Sequence, residues 1–158
     1  MCAPACAAAT DPAVWVMPRR SSAERFRRTD AARVPGNSAE WAGSPEKLAV
    51  ENLETYPLDF IQPVLDRIPV SRCVDVGHLW LDGHNPIPYL QAALRRTRVI
   101  HMHGIAERDH HSLRFMPHEK VSAVWNELIR LNYDGVLTLE VFSEEDFLSS
   151  IEVIERLS

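Results

Sequence analysis

The stretch RVIHMHG, Arg98–Gly104, decides how the chain is read. Ile100 and Met102 alternate with His101 and His103, which is the two-residue period of a β-strand with apolar side chains on one face and imidazoles on the other. Similar short apolar runs recur on both sides of it: Lys47–Leu53 (KLAVENL), Arg72–Val76 (RCVDV) and Gly135–Phe142 (GVLTLEVF). Between them the period becomes helical. Leu58, Ile61, Leu65 and Ile68 share a face of Pro57–Ile68, where Pro63 makes the helix start late or bend. Leu90, Ala93 and Leu94 share a face of Ile87–Arg96, and Val121, Val124, Leu128 and Leu131 share a face of Lys120–Leu131. Ser143 precedes Glu144, Glu145 and Asp146, an N-cap followed by acids in the first turn, so a last helix follows. The order βαβαβαβα predicts an α/β fold with parallel strands and right-handed helical crossovers. Four such units amount to half of an eight-stranded barrel.

Size and composition fit that reading. The chain has 158 residues, 46% hydrophobic and 25% charged, enough for one domain with a core. A net charge of -5 disfavours a nucleic-acid partner. No apolar run approaches the roughly 20 residues that span a bilayer, and the Ala- and Cys-rich start lacks the features of a secretory signal. Cys2, Cys6 and Cys73 form neither a zinc ribbon nor a disulfide framework, which points to a reducing cytoplasm. Cys73 is expected to pack as a small hydrophobe. Residues 1–43 differ from residues 44–158: they carry Pro4, Pro12, Pro18, Pro35 and a cluster of arginines, without an apolar period. The expectation there is a disordered or atypical leader, with a basic tail or an altered N-terminus as the other readings.

The chemistry-bearing residues fall where strands end. Glu51 closes the first, Asp75 the second with His78 just beyond, His101 and His103 the third, and Glu140 the fourth. Sites in parallel α/β folds form at those ends. Closing the strands around an axis would gather Glu51, Asp75, His103 and Glu140. Acids and imidazoles together suit a divalent metal, with Zn or Mn favoured by the histidines. Taken singly, each has a plainer reading: Glu51 as a solvated acid, His78 as a loop residue, His101 and His103 as satisfied core histidines. Asp75 and Glu140 are harder to set aside, because a carboxylate between apolar strand residues needs a partner or a metal. The loop GIAERDHHSLRFMP, Gly104–Pro117, adds Asp109, His110 and His111 as a second metal-binding group and Arg108 and Arg114 as phosphate contacts.

The segments ENLE (Glu51–Glu54), DVGH (Asp75–His78), HMHG (His101–Gly104), DHHSL (Asp109–Leu113) and LEVF (Leu139–Phe142) resemble the xylose-isomerase-like TIM barrels. That superfamily includes sugar isomerases and epimerases and nucleases of the endonuclease IV type. Within it, residues from Lys47 onward look most like the bacterial cobamide-remodelling phosphodiesterases, as the last four β/α units of a partial (β/α)8 barrel. The resemblance implies Glu51, Asp75, His103 and Glu140 as metal ligands. It implies His78 with Asp109 or His111 for a second ion, an alignment on HHSL selecting Arg108 and His110 instead. Glu51, Glu140 and His78 would be catalytic, and Arg108, Arg114 and His101 would hold substrate. The activity implied is hydrolysis of a phosphodiester in a cobamide, or isomerisation or epimerisation of a sugar. A half barrel leaves two open sheet edges. It implies pairing with another copy or with a separate N-terminal half, or an inactive fragment.

Overall fold

The computed structural model describes residues 14–16 and 42–157. Its centre is a five-stranded, wholly parallel sheet in sequence order: β1 (Val14–Val16), β2 (Leu48–Glu51), β3 (Ser71–Asp75), β4 (Thr97–Met102) and β5 (Val136–Leu139). Among the described residues five helices of α type accompany them: α1 (Gln62–Leu65), α2 (Val76–Leu81), α3 (Pro86–Ala93), α4 (His118–Arg130) and α5 (Glu144–Glu155).

The four expected strands are present, and β1 is an addition. It lies inside the segment expected to be a leader and pairs with β2 in the register Val14↔Leu48, Trp15↔Ala49, Val16↔Val50. Val-Trp-Val is β-branched and aromatic, which suits a pleated surface. Its three residues are too short to show a period. Apart from Ala42 and Gly43, the rest of the expected leader lies outside the described residues.

The helices differ from expectation in two places, each for a local reason. Pro63 sits in the first turn of α1, where its missing N–H is not needed, so the helix is cut to four residues. α2 follows β3 without a loop. Asp75 ends the strand and caps the helix, its carboxylate accepting from the His78 amide at 2.8 Å. His78 is therefore a helical residue rather than a loop residue. The expected cap at Ser143 is present: its hydroxyl accepts from the Asp146 amide at 3.0 Å.

Strand alternation divides the core into two faces. Val74, Ile100 and Met102 face outward and pack with Leu79, Trp80, Leu90, Val121, Val124 and Leu128 of the helices. Leu48 packs outward against Ile61, Val64, Leu65 and Val70. The inner face carries Ala49, Cys73 and Val99, a small apolar layer. One step further along each strand stand Glu51, Asp75 and His101. Burial pushes the Cys73 thiol up to about 12, in keeping with a packing role. Among the described residues no helix is long and apolar enough to cross a membrane.

At the opposite end of the sheet, Arg96 ties the α1–β3 connection to the start of β4. Its guanidinium donates to the carbonyls of Val70 (2.7 Å), Leu65 (2.6 Å) and Ile68. Three charge-assisted bonds from one planar group fit Arg and not Lys. Arg96→Ala is expected to lower stability by about 2 kcal/mol, with Arg96→Lys recovering only part of it, as read from urea unfolding midpoints.

Candidate metal centre

Four side chains from four successive strand ends meet at one point. His101 Nδ1 lies 3.2 Å from Glu51 Oε1, 3.4 Å from Asp75 Oδ2 and 2.5 Å from Glu140 Oε2. Register explains the meeting: Asp75 pairs with His101 across β3 and β4, and Glu51 pairs with Cys73 one inward-facing position earlier. Glu140 lies just beyond β5, and its amide still donates to the Met102 carbonyl at 3.1 Å, which continues the ladder.

Asn52 locks the strand ends together. Its side-chain amide donates to the Asp75 carbonyl at 3.0 Å, and its side-chain oxygen accepts from the Asp75 amide at 2.9 Å. Asn52 thus supplies the ladder bonds that the backbone of β2 no longer makes. Its own carbonyl lies 3.1 Å from His78 Nδ1. Strand period alone does not single out Asn52. The signal was present, because an amide side chain beside a strand-ending acid can mimic a backbone pair.

The electrostatics are those of acids held out of water. Burial raises the pKa of Glu51 above the ordinary carboxylate value. Burial acts the same way on Asp75, but hydrogen bonds with His101 and His103 outweigh it and hold that carboxyl well below its ordinary value. Burial works against charge on His101, and its bond to Asp75, with further bonds to Cys73, Glu140 and Glu51, more than reverses this and raises its pKa. Both oxygens of Glu51, Asp75 Oδ2 and Glu140 Oε2 are buried, and beyond their contacts with histidine nitrogens they have no hydrogen-bond partner among the described residues. Glu51, Asp75, His101 and Glu140 each offer one ligand atom within 4.8 Å of the others. Three hard oxygens and one imidazole nitrogen fit a divalent ion.

This arrangement groups the two strand histidines differently from expectation. His101, expected at the substrate, is the imidazole among the carboxylates. His103, expected there, reaches the other oxygen of Asp75, its Nε2 3.2 Å from Oδ1. It belongs instead with His78 and His110. The reason is the end of β4 at Met102: only His101 still has the strand's inward direction, and His103 follows the turn into the loop.

The loop also sorts its residues differently from expectation. Gly104 and His111 form an isolated antiparallel bridge, N–H to carbonyl at 2.6 and 3.1 Å. His110 has φ 61°, the left-handed region, and this turn directs its ring inward. His111 is 38% exposed and faces Asp146 at 3.5 Å, so it lies apart from the cluster. Asp109 lies beside His110, with its Oδ2 3.2 Å from Nδ1, and in reach of Glu54 and His78. Arg114 pairs with Glu145 at 3.1 Å, and Arg108 is exposed on the loop. The structure therefore does not gather the two arginines as a phosphate clamp. Ser112 and Leu113 hold the loop to α5 through Asp146, Ser149 and Ser150.

Solved structures with this architecture include proteins named as sugar epimerases and isomerases. A D-tagatose 3-epimerase-like protein matches with a TM-score of 0.59 at 18% identity, over 77% of this chain and 49% of that one. The fold is that of part of a TIM barrel, about half of each matched structure. A 3-keto-D-glucoside 4-epimerase from E. coli matches at 0.52 and 17% identity, over 90% of this chain and 56% of that one. A sugar phosphate isomerase/epimerase from Parabacteroides distasonis matches at 0.55 and 12% identity, over 91% and 55%. The chain thus spans about half the length of the structures it matches. No protein-family model and no curated protein sequence matches it. The expected likeness to cobamide phosphodiesterases finds no support in these neighbours, whose names are those of isomerases and epimerases.

Gly77 permits the site's packing. A Cβ there would fall inside the ring of His103. Gly77→Ala is expected to fold, to cost about 1–3 kcal/mol by overpacking, and to shift the His103 imidazole resonances in a histidine-edited NMR spectrum. Unchanged resonances would show that the ring is not held there.

Proposed function

We propose that this chain carries the metal-binding half of a sugar isomerase or epimerase, with Glu51, Asp75, His101 and Glu140 as ligands of one divalent ion, Mn or Zn. The observation that carries this reading is the convergence of oxygens from Glu51, Asp75 and Glu140 on His101, all within 4.8 Å of one another. Three carboxylates held that close repel, and a divalent cation removes the cost. The sugar-processing names of the neighbouring structures support the substrate class.

A divalent ion bound there supplies Lewis-acid polarisation of a carbonyl or hydroxyl oxygen. The chain's own residues do the rest. Glu51, its pKa raised by burial, is suited to hold and release a proton. Glu140 approaches from β5, across the cluster from Glu51, and offers the complementary base. His78, fixed on α2 with its Nε2 3.3 Å from Glu54 Oε2, is placed to bind a sugar hydroxyl. Asp75 stays ionised and orients both strand histidines.

A metal-dependent phosphodiester hydrolase is the second reading, favoured by the imidazole group beside the carboxylates. The two separate in one assay. The metal-free chain is reloaded with Mn or Zn and offered a panel of ketoses and ketose phosphates, and in parallel adenosylcobalamin and a simple aryl phosphodiester. Epimerised or isomerised sugar supports the first reading; phosphodiester cleavage with no sugar turnover overturns it. Chelation should abolish the activity and Mn or Zn restore it. Glu51→Gln and Glu140→Gln should each lower turnover about a hundred- to ten-thousand-fold while leaving the circular dichroism spectrum unchanged.

A further inference from the structure

The N-terminal ends of the strands, opposite the carboxylates, hold a concentration of positive charge. A cavity of about 440 Å3 opens there between the α1–β3 connection and the start of β4. Four arginines line it: Arg67 from the connection, Arg95 and Arg96 from the turn before β4, and Arg98 from β4 itself. Two acids, Glu46 and Asp66, share the lining. Both are turned to other partners. Glu46 accepts from the Ser44 hydroxyl, and Asp66 accepts from the Gln62 side-chain amide at 2.6 Å. Arg67, Arg95 and Arg98 are exposed and form no ion pair among the described residues. The chain as a whole has a net charge of -5, so this cluster runs against its overall balance.

Arg96 is the fixed point of the group. Its Nε, Nη1 and Nη2 donate to the carbonyls of Val70, Leu65 and Ile68, which holds the guanidinium plane in place. One N–H on each Nη is left over. Cations gathered without a counter-charge raise one another's energy, and an anion placed among them removes that cost. The lining contains arginines and no lysine. The guanidinium fork matches phosphate oxygens two at a time, which an ammonium cannot do. A cavity of this volume is within the range of small-molecule sites and larger than a single phosphate requires.

We infer that this cavity binds a pyrophosphate group, free or carried by a nucleoside diphosphate. Two linked phosphates supply enough oxygens to reach more than two of the guanidinium groups at once. The ligand takes no part in chemistry at the metal centre, because the inner layer of Ala49, Cys73 and Val99 lies between the two ends of the sheet. Its effect is instead to bridge the α1–β3 connection and the start of β4, the two segments that Arg96 already joins. A ligand that binds only the folded chain stabilises it. This site goes beyond the sugar reading and stands whichever reaction the metal centre serves.

The test measures binding rather than turnover. The full chain is passed over a chelating resin, so that no metal is present to hold the anion, and titrated with inorganic pyrophosphate and separately with ADP. Isothermal titration should show saturable binding that weakens as salt is added, because the arginines are exposed. Arg67→Ala and Arg98→Ala should each weaken pyrophosphate about tenfold, with the circular dichroism spectrum unchanged. Arg108→Ala, at the other end of the sheet, should leave binding as it is. At constant ionic strength pyrophosphate should raise the thermal unfolding midpoint of the parent chain and not that of the Arg67→Ala/Arg98→Ala double variant. Absence of saturable binding would overturn the proposal. So would binding that persists in the double variant, which would belong to the arginines among residues 19–28. Binding of ADP without binding of pyrophosphate would also overturn it, since the base and not the phosphates would then be recognised.

Discussion

Asp75 has to stay ionised in a place that water does not reach. It ends β3, caps α2 through the His78 amide, and touches His101 with one oxygen and His103 with the other. A buried carboxylate without such partners would be protonated or would unfold its surroundings. Much of the nearby structure can be traced to that requirement. β3 enters α2 without a loop because the same residue serves as strand end and helix cap. Asn52 reproduces a ladder pair on the Asp75 backbone, so the carboxylate cannot swing away. Gly77 has no side chain because the His103 ring occupies its place.

The sheet provides the second constraint. Its strands are all parallel, so every strand end of one kind lies at one edge. The inner face has small apolar residues, Ala49, Cys73 and Val99, one step before the ionisable ones. That layer keeps solvent from the underside of the cluster and strengthens each charge interaction above it. The polar and apolar layers alternate with the pleat, so shifting one strand by one residue would move its ionisable group to the helix side. Correct register is thus a condition for the cluster to exist.

Most of the architecture was legible from local pattern. The strand at Arg98–Met102, the helix around Val121–Leu128 and the cap at Ser143 follow from period and capping chemistry, and the structure has each of them within a residue or two. β1 was not legible, since Val14–Val16 is too short to show a period and is recognisable only by its pairing with β2. α2 was missed because Val76–Leu81 is apolar nearly all round, a pattern that reads equally as strand or helix. At the site, the acids were legible because Asp75 and Glu140 interrupt apolar strands. The assignment of individual histidines was not.

What sequence alone determined is the kind of chemistry available: carboxylates and imidazoles at successive strand ends of a parallel fold, a consequence of strand alternation and of where such strands end. What only the tertiary structure decided is which of them meet. His101 and not His103 joins the carboxylates, because the strand direction is lost after Met102. His110 and not His111 turns inward, because a left-handed residue reverses the side on which the chain presents its side chains. Adjacent residues in a sequence differ by one position, but across a strand end or a tight turn that single position separates the inside of the cluster from its outside.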